Sequence, residues 1–241
     1  MSEAQTRVPV PGAALARLLA RMTGREAALP MHSPAERLGD WLEWQRAVTL
    51  SRAMDDDPDA GSVDASDGGD ERLAAECHRL RAALADAIAD EARDWTLPLH
   101  PRRGGDGSGA SAGAGAVQRH CRNLQRDIQA ATGRLRGELR EQLARREGDA
   151  ARLAAVDAVM EGLLAPREHA LLDPVVPMLV ARFESLHARH GEGAAKAPAA
   201  AAAWRANFRS EARQVLLAEL DLRFQPIEAL LAALGNPRPD A

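Results

Sequence analysis

The sequence predicts an all-α protein, a helical bundle with long amphipathic, coiled-coil-like central helices and flexible linkers. Three observations carry this prediction. Apolar residues between 117 and 164 recur in steps of three and four, which is the period of an amphipathic helix. Alanine, the best helix former, is abundant, whereas the 241 residues include no Tyr, 3 Phe and 4 Trp. Valine and isoleucine are too sparse to build a sheet.

The N-terminal helical block is predicted over residues 11–54. A capping box marks the start of its second helix, with Ser33 at the N-cap, Pro34 at the first helical position and Glu36 at the third. Trp44 lies off the apolar face of that helix. We expect Trp44 to make a second contact within the same fold.

Three linkers are predicted between the helical blocks. Residues 55–70 read as an acidic disordered linker, because the stretch from Asp55 to Glu71 holds eight acids and no base. Residues 99–116 are a Gly-rich linker, and residues 191–203 are an Ala/Gly/Pro linker. These linkers are expected to join helices without packing in the core.

The remaining blocks are predicted to be helical. They are a helix at 71–98, a central helical region at 117–190 and C-terminal helices at 204–235. Prolines are expected to interrupt the central region and the C-terminal helices, because proline lacks the N–H of a helical hydrogen bond. We expect one helix to end just before Pro166, and the C-terminal helix to kink or restart at Pro226.

The central region is predicted to be two helices that meet near Gly148, because Gly148 suits the position just after a helix end. Its apolar seam must be covered by another helix, either from this chain or from a partner. The predicted interaction seam consists of Cys121, Leu124, Ile128, Leu135, Leu139 and Leu143.

The other faces of the central helix are rich in arginine, which neutralises phosphate in non-specific nucleic-acid binding. Acidic residues are interspersed and the net charge of the chain is −4, so a solvated, salt-bridged surface is favoured. Nucleic-acid binding is kept as an alternative. The basic face consists of Arg119, Arg122, Arg126, Arg136 and Arg140.

A metal site has weak candidates in Glu184, His187 and His190. Glu184 and His187 form a Glu-x-x-His step, which supplies ligands in di-iron helical bundles. Such a site needs a second copy of the step, and the sequence has none. A metal-dependent enzyme is therefore the second alternative.

Two Cys–His doublets, at 77–78 and 120–121, are also poor ligand pairs. Adjacent helical residues point about 100° apart, so one ion is not easily reached by both side chains. The sequence also contains no Walker A loop. We predict no catalytic residues, no cofactor and a non-enzymatic function.

The cellular location is predicted to be the cytoplasm. Two cysteines are too few for a disulfide framework, and no hydrophobic signal sequence is recognised. No run approaches the roughly 20 apolar residues that a membrane-spanning helix needs. We therefore expect no membrane span.

Three groups of helix motifs make the chain resemble a family of bacterial proteins of unknown function, domain-of-unknown-function family 3348. The resemblance covers nearly the whole length and implies a helical fold, with no activity and no catalytic residues. The first motif is Glu36-Arg37-Leu38 followed by Trp41-Leu42-x-Trp44. The second is Leu153 to Val159 leading into Ala165-Pro166-Arg167-Glu168. The third is Leu216 to Arg223 with Gln225-Pro226.

The resemblance also implies a setting for the protein. Genes of this family lie beside genes for a proton-channel-like inner-membrane protein and for a peptidoglycan-binding outer-membrane-type protein. This implies an accessory of an envelope complex. We therefore predict a cytoplasmic helical interaction or scaffold protein, whose partner is a protein, such as an inner-membrane channel-type complex, or a second copy of the chain.

Overall fold

A computed structural model describes residues 12–24, 44–55, 67–90, 95–97, 108–146, 148–190 and 197–235. These residues form seven helices and contain no strand, so the predicted all-α class is confirmed. In chain order the helices are α1 (Ala13–Thr23), α2 (Trp44–Asp55), α3 (Asp67–Ala89), α4 (Ser108–Ala144), α5 (Asp149–Leu172), α6 (Val175–His190) and α7 (Pro198–Leu234).

The bundle is built around α4, which contacts α3, α5, α6 and α7. Arg146, just after α4, pairs with Asp70 at the start of α3, so α3 runs antiparallel to α4. Arg146 also donates to the carbonyl of Leu234 at the end of α7 (2.8 Å). Gln125, near the middle of α4, contacts Glu219 of α7, so α4 and α7 run parallel.

Helices α5 and α6 follow one another along α4 in the opposite direction. Asp157 of α5 pairs with Arg136 in the C-terminal half of α4. Phe183 of α6 packs against Gly113 near the N-terminus of α4. The two helices are separated by a turn at Asp173 and Pro174. The chain therefore passes up α4, down α5 and α6, and up α7.

Two short helices lie outside this arrangement. Helix α1 packs on α6 and α7, and α2 packs on α5. Trp44, the first residue of α2, is 82% exposed. The expected second contact of Trp44 within the fold is therefore wrong as far as the described residues go.

The break predicted near Gly148 is confirmed. Helix α4 ends at Ala144 and α5 begins at Asp149, while Gly148 has a φ of 62°. This left-handed conformation is one that glycine adopts without steric cost. The backbone N–H of Arg146 donates to the carbonyl of Leu143 (3.0 Å), which satisfies one of the last carbonyls of α4.

Parts of the predicted linkers are helical. Residues 108–116 form the first turns of α4 because Ala114 and Ala116 are buried in the bundle, and packing outweighs the low helix propensity of the glycines. Residues 198–203 form the first turns of α7, with Pro198 at its start and Ala201 buried. Residues 67–70 of the acidic stretch begin α3.

The prediction that a helix ends just before Pro166 is wrong, and at Pro226 the helix continues without a restart. Pro166 lies within α5 and Pro226 within α7. Each is flanked by buried apolar residues, Leu163 and Leu172 in α5, and Ile227 beside Pro226. We attribute the continuity to this packing, which offsets the cost of about 3 kcal/mol that proline imposes inside a helix.

Other predictions fall outside the described residues. These are the capping box at Ser33, Pro34 and Glu36, most of the acidic stretch, and the first part of the Gly-rich linker. None of the helices in the described ranges combines the length and the apolarity that crossing a bilayer requires.

Candidate interaction groove

The predicted interaction seam is covered within the chain. All six seam residues are buried, and they belong to one hydrophobic core formed together with α3, α6 and α7. Ile128, Leu139 and Leu143 are completely inaccessible to solvent. The question that the sequence left open, whether this chain or a partner fills the seam, is therefore answered in favour of this chain.

The predicted basic face divides into two parts. Arg136 and Arg140 are half-buried and form ion pairs with Asp157 and Glu161 of α5. Arg119, Arg122 and Arg126 are exposed on the N-terminal half of α4. None of these three side chains makes an ion pair with a carboxylate among the described residues.

The weak metal candidates lie near one end of α6. Glu184 and His190 are exposed, whereas His187 packs its ring edge-on against Trp204, with 6.0 Å between ring centroids. No three His, Cys, Asp or Glu side chains in the described part of the chain form a group that could hold a metal ion.

An open groove lies where α5 meets α4 and α7. It consists of two adjoining cavities of about 450 and 410 Å³, which share Gln129, His169, Leu172 and Arg223 in their walls. The larger cavity is mainly apolar, with Leu164, Leu171, Leu172, Leu222 and Pro226 among its lining residues. The smaller cavity is lined mostly by polar residues, including Arg122, Gln125, Arg126 and Asp173, and we call it the polar cavity. We call the two cavities together the α5 groove.

A buried carboxylate lies beside the α5 groove. Glu219 of α7 is 0% exposed and accepts hydrogen bonds from Gln125 Nε2 (2.9 Å) and from Arg223 Nε and Nη2 (both 3.1 Å). Arg223 also donates from Nη1 to Glu168 of α5 (2.7 Å). Because a buried charge is costly unless it is paired, these contacts tie α4, α5 and α7 together.

A second group of ion pairs joins α4 and α5 at the other wall. Arg136 donates from Nε and Nη2 to the two oxygens of Asp157 (2.9 and 2.6 Å), in the bidentate geometry that strengthens such pairs. Burial opposes the charged form of Arg136. The hydrogen bond and charge of Asp157, with Glu161 and Glu168, outweigh burial and raise the pKa of Arg136.

Cys121 lies between this polar region and the apolar core. Burial, with a smaller contribution from the Glu219 carboxylate, raises the pKa of the Cys121 thiol to about 12. Burial also raises the pKa of Cys77. Because the thiolate is the reactive form, both free cysteines are held as unreactive thiols at neutral pH.

Sequence reasoning missed the charged residues of this region. Glu219, Arg223 and Glu168 were quoted only as parts of helix motifs, and the structure brings these two motifs together at the groove. A signal was present, since Glu219 lies four residues after the buried Val215 and four before Arg223. This spacing places a carboxylate on the apolar face of α7 within reach of an arginine.

A family model described as "Protein of unknown function (DUF3348)" matches residues 1–236. No curated protein and no solved structure matches the chain.

Proposed function

Since the chain belongs to the DUF3348 family, whose description names no activity, we propose its function from the α5 groove. The protein is a non-enzymatic helical interaction or scaffold protein, and a partner protein docks in this groove. The observation that carries the proposal is an exposed apolar residue beside an apolar cavity. Leu171 is 68% exposed and lines the cavity of about 450 Å³.

A partner that covers Leu171 gains free energy from burying it. Complete burial of a leucine side chain contributes roughly 1.5–3 kcal/mol, and the neighbouring cavity can take up apolar side chains of the partner. The ion pairs of Arg223 and Arg136 support the walls, so the groove is formed before a partner arrives. Preformed sites bind with a smaller loss of conformational entropy.

We further propose a cytoplasmic location and, as the partner, a proton-channel-like complex of the inner membrane. The support is the gene neighbourhood that the family resemblance implies. The free thiols of Cys77 and Cys121 agree with a reducing compartment. A second copy of the chain is the other partner that this function allows.

The experiment is affinity purification of the tagged full-length protein from its own cells, with mass determination of the native complex. Wild type should recover a defined partner protein. Leu171→Arg, which places a charge at the mouth of the groove, should lose it. Met54→Arg is the matched control, because Met54 is exposed on α2 and lines neither cavity.

Two results would contradict the proposal. One is a strict monomer that recovers no partner from either the soluble or the membrane fraction. The other is a partner that Leu171→Arg and Met54→Arg retain equally, because that partner would dock elsewhere.

One observation favours nucleic-acid binding as a second candidate. Arg119, Arg122 and Arg126 follow one another at helical spacing on the exposed face of α4 and contact no carboxylate among the described residues. This function predicts retention on duplex DNA that falls steeply with salt. Retention that is unchanged in Arg122→Gln/Arg126→Gln would exclude this face as the binding site.

A further inference from the structure

The polar cavity of the α5 groove has two arginines that no carboxylate of the described residues neutralises. Arg122 and Arg126 are exposed and line the cavity of about 410 Å³. Arg126 donates to the side-chain oxygen of Asn123 and, at 3.4 Å, to the carbonyl of Arg122. Both acceptors are neutral and belong to α4, so the guanidinium keeps its full charge at the surface.

The other arginines in contact with acids around the groove differ from these two. Arg223 binds Glu219 and Glu168, and Arg136 binds Asp157. Glu161 and Glu168, two of the carboxylates that line the groove, are thus already engaged in ion pairs. A carboxylate that arrives from outside meets Arg122 and Arg126, where it can form charge-assisted hydrogen bonds without breaking an existing pair.

The adjoining, mainly apolar cavity is suited to apolar groups of the same ligand. It presents Leu171, Leu172 and Leu222, and it is continuous with the polar cavity through Arg223 and His169. A ligand that fills both must carry acidic and apolar groups side by side. An amphipathic helix does this, because residues three and four positions apart lie on one face.

We infer that the α5 groove binds an acidic amphipathic helix of a partner protein. Carboxylates of that helix contact Arg122 and Arg126, and its apolar side chains cover Leu171. This inference rests on the proposed function and specifies the chemistry of the partner. A nucleic acid fits the same surface less well, because its backbone brings no apolar side chains to Leu171.

The test selects ligands without presuming a sequence. A phage-displayed library of 16-residue random peptides is enriched against the full-length protein and, in parallel, against Arg122→Gln/Arg126→Gln. Wild type should enrich peptides in which Asp or Glu and large apolar residues alternate at helical spacing. The double variant should not enrich them. Both substitutions are on exposed side chains, so the variant is expected to fold.

One enriched peptide is then synthesised with a fluorophore and titrated by fluorescence anisotropy. The double variant should weaken its binding by about tenfold or more, and Leu171→Ser by a similar factor. Arg145→Gln is the matched control, because Arg145 is exposed, hydrogen-bonds Gln142 among the described residues, and lines neither cavity. It should change the affinity by less than about twofold.

The outcomes separate the inference from the function on which it rests. Enrichment of neutral or basic peptides whose binding depends on Leu171 would overturn the inference and leave the groove as a docking site. Peptide binding that neither Leu171→Ser nor the double arginine variant weakens would overturn both. Displacement of the enriched peptide by a 16-base-pair DNA duplex, with tighter binding of the duplex, would overturn the inference in favour of nucleic acid.

Discussion

The N-terminal end of α4 and its middle part are packed in different ways. Near its N-terminus, aromatic rings pack around the helix: Trp95 stacks on His120 at 4.5 Å between centroids, and Phe208 lies edge-on to Phe183 at 5.3 Å. We call this group, with Trp204, the aromatic end. Further along α4, at the α5 groove, the helices are joined by ion pairs. Rings fill volume, whereas ion pairs fix helix positions and leave cavities between them.

Because of this difference, we expect the aromatic end to contribute mainly to stability and the α5 groove mainly to binding. The aromatic end excludes ligands because its side chains occupy the space between helices. The α5 groove keeps space open, at the point where α5 turns into α6 and neither helix can fill the corner. We therefore expect substitutions at the aromatic end to lower the free energy of unfolding most, and substitutions on the exposed rim of the groove to change binding with little effect on stability.

The largest effect is expected from Phe208→Ala. Phe208 is completely buried and contacts both Trp95 and Phe183, so its removal leaves a large cavity. The free energy of unfolding should fall by about 3–5 kcal/mol, measured by urea denaturation followed by circular dichroism. Leu171→Ala, at the groove, should change it by less than about 0.5 kcal/mol. Similar losses for both variants would contradict the comparison.

Removing one member of the buried ion pair should have the next largest effect. Glu219→Ala leaves Arg223 with only the partly exposed Glu168, and should cost about 3 kcal/mol. The double variant Glu219→Leu/Arg223→Met replaces the pair with apolar groups and should recover most of this loss. If the double variant is as unstable as Glu219→Ala in the same denaturation experiment, the polar pair is needed for packing as well as for charge balance.

Alanine substitutions at two glycines of α4 should change the free energy of unfolding in opposite directions. A Cβ at Gly113 would lie 2.9 Å from the ring of Phe183, which is buried and cannot move aside. Gly113→Ala should therefore cost about 1–3 kcal/mol. A Cβ at Gly137 meets no atom within 4 Å. Gly137→Ala should gain up to about 1 kcal/mol. Equal thermal-unfolding shifts in the two variants would argue against tight packing at the aromatic end.

A pH dependence of stability is also expected from Cys121, which lies on α4 between His120 of the aromatic end and Arg122 of the groove. The pKa of its thiol is about 12 in the folded protein, above the ordinary value of 9.0 for a cysteine in an unfolded chain. The unfolded state therefore loses its proton first, and the contribution to stability is complete below pH 9 and lost between pH 9 and 12. In a Cys77→Ala background, the free energy of unfolding should fall by about 1.4 kcal/mol from pH 8 to pH 10.

The control for this pH dependence is Cys77→Ala/Cys121→Ala. In this variant the free energy of unfolding should not show the decrease between pH 8 and pH 10 that is assigned to Cys121. An identical slope with and without Cys121 would mean that other groups titrate and that the thiol is not held neutral by the core.

The sequence allowed the seam of α4 to be predicted because its period of three and four residues reports burial directly. The break at Gly148 was also predictable, from a single residue with a known conformational preference. The α5 groove could not be predicted from the sequence. Its walls come from three helices, and no local sequence pattern indicates how those helices are positioned relative to one another. Glu219 was hidden for the same reason: its partners Gln125 and Glu168 are distant along the chain.

The linker predictions are wrong for the parts that the structure describes as helical, residues 67–70, 108–116 and 198–203. Composition described residues 108–116 as flexible, and their glycines do lower helix propensity. In the structure, Gly113 provides the close approach that Phe183 requires, so the residue that weakens the isolated helix permits its packing. Pro166 and Pro226 show the converse, since packing on either side keeps a helix continuous through a residue that opposes it.

The parallel arrangement of α4 and α7 has a consequence for synthesis on the ribosome. Helix α7 is the last of the described helices to emerge, and 90 residues separate the end of α4 at Ala144 from the end of α7 at Leu234. At roughly 5–20 residues per second, the apolar side of α4 that α7 covers stays exposed for about 5–20 s. A nascent chain interrupted before Pro198 would keep that surface permanently uncovered and become a target for chaperones and proteases.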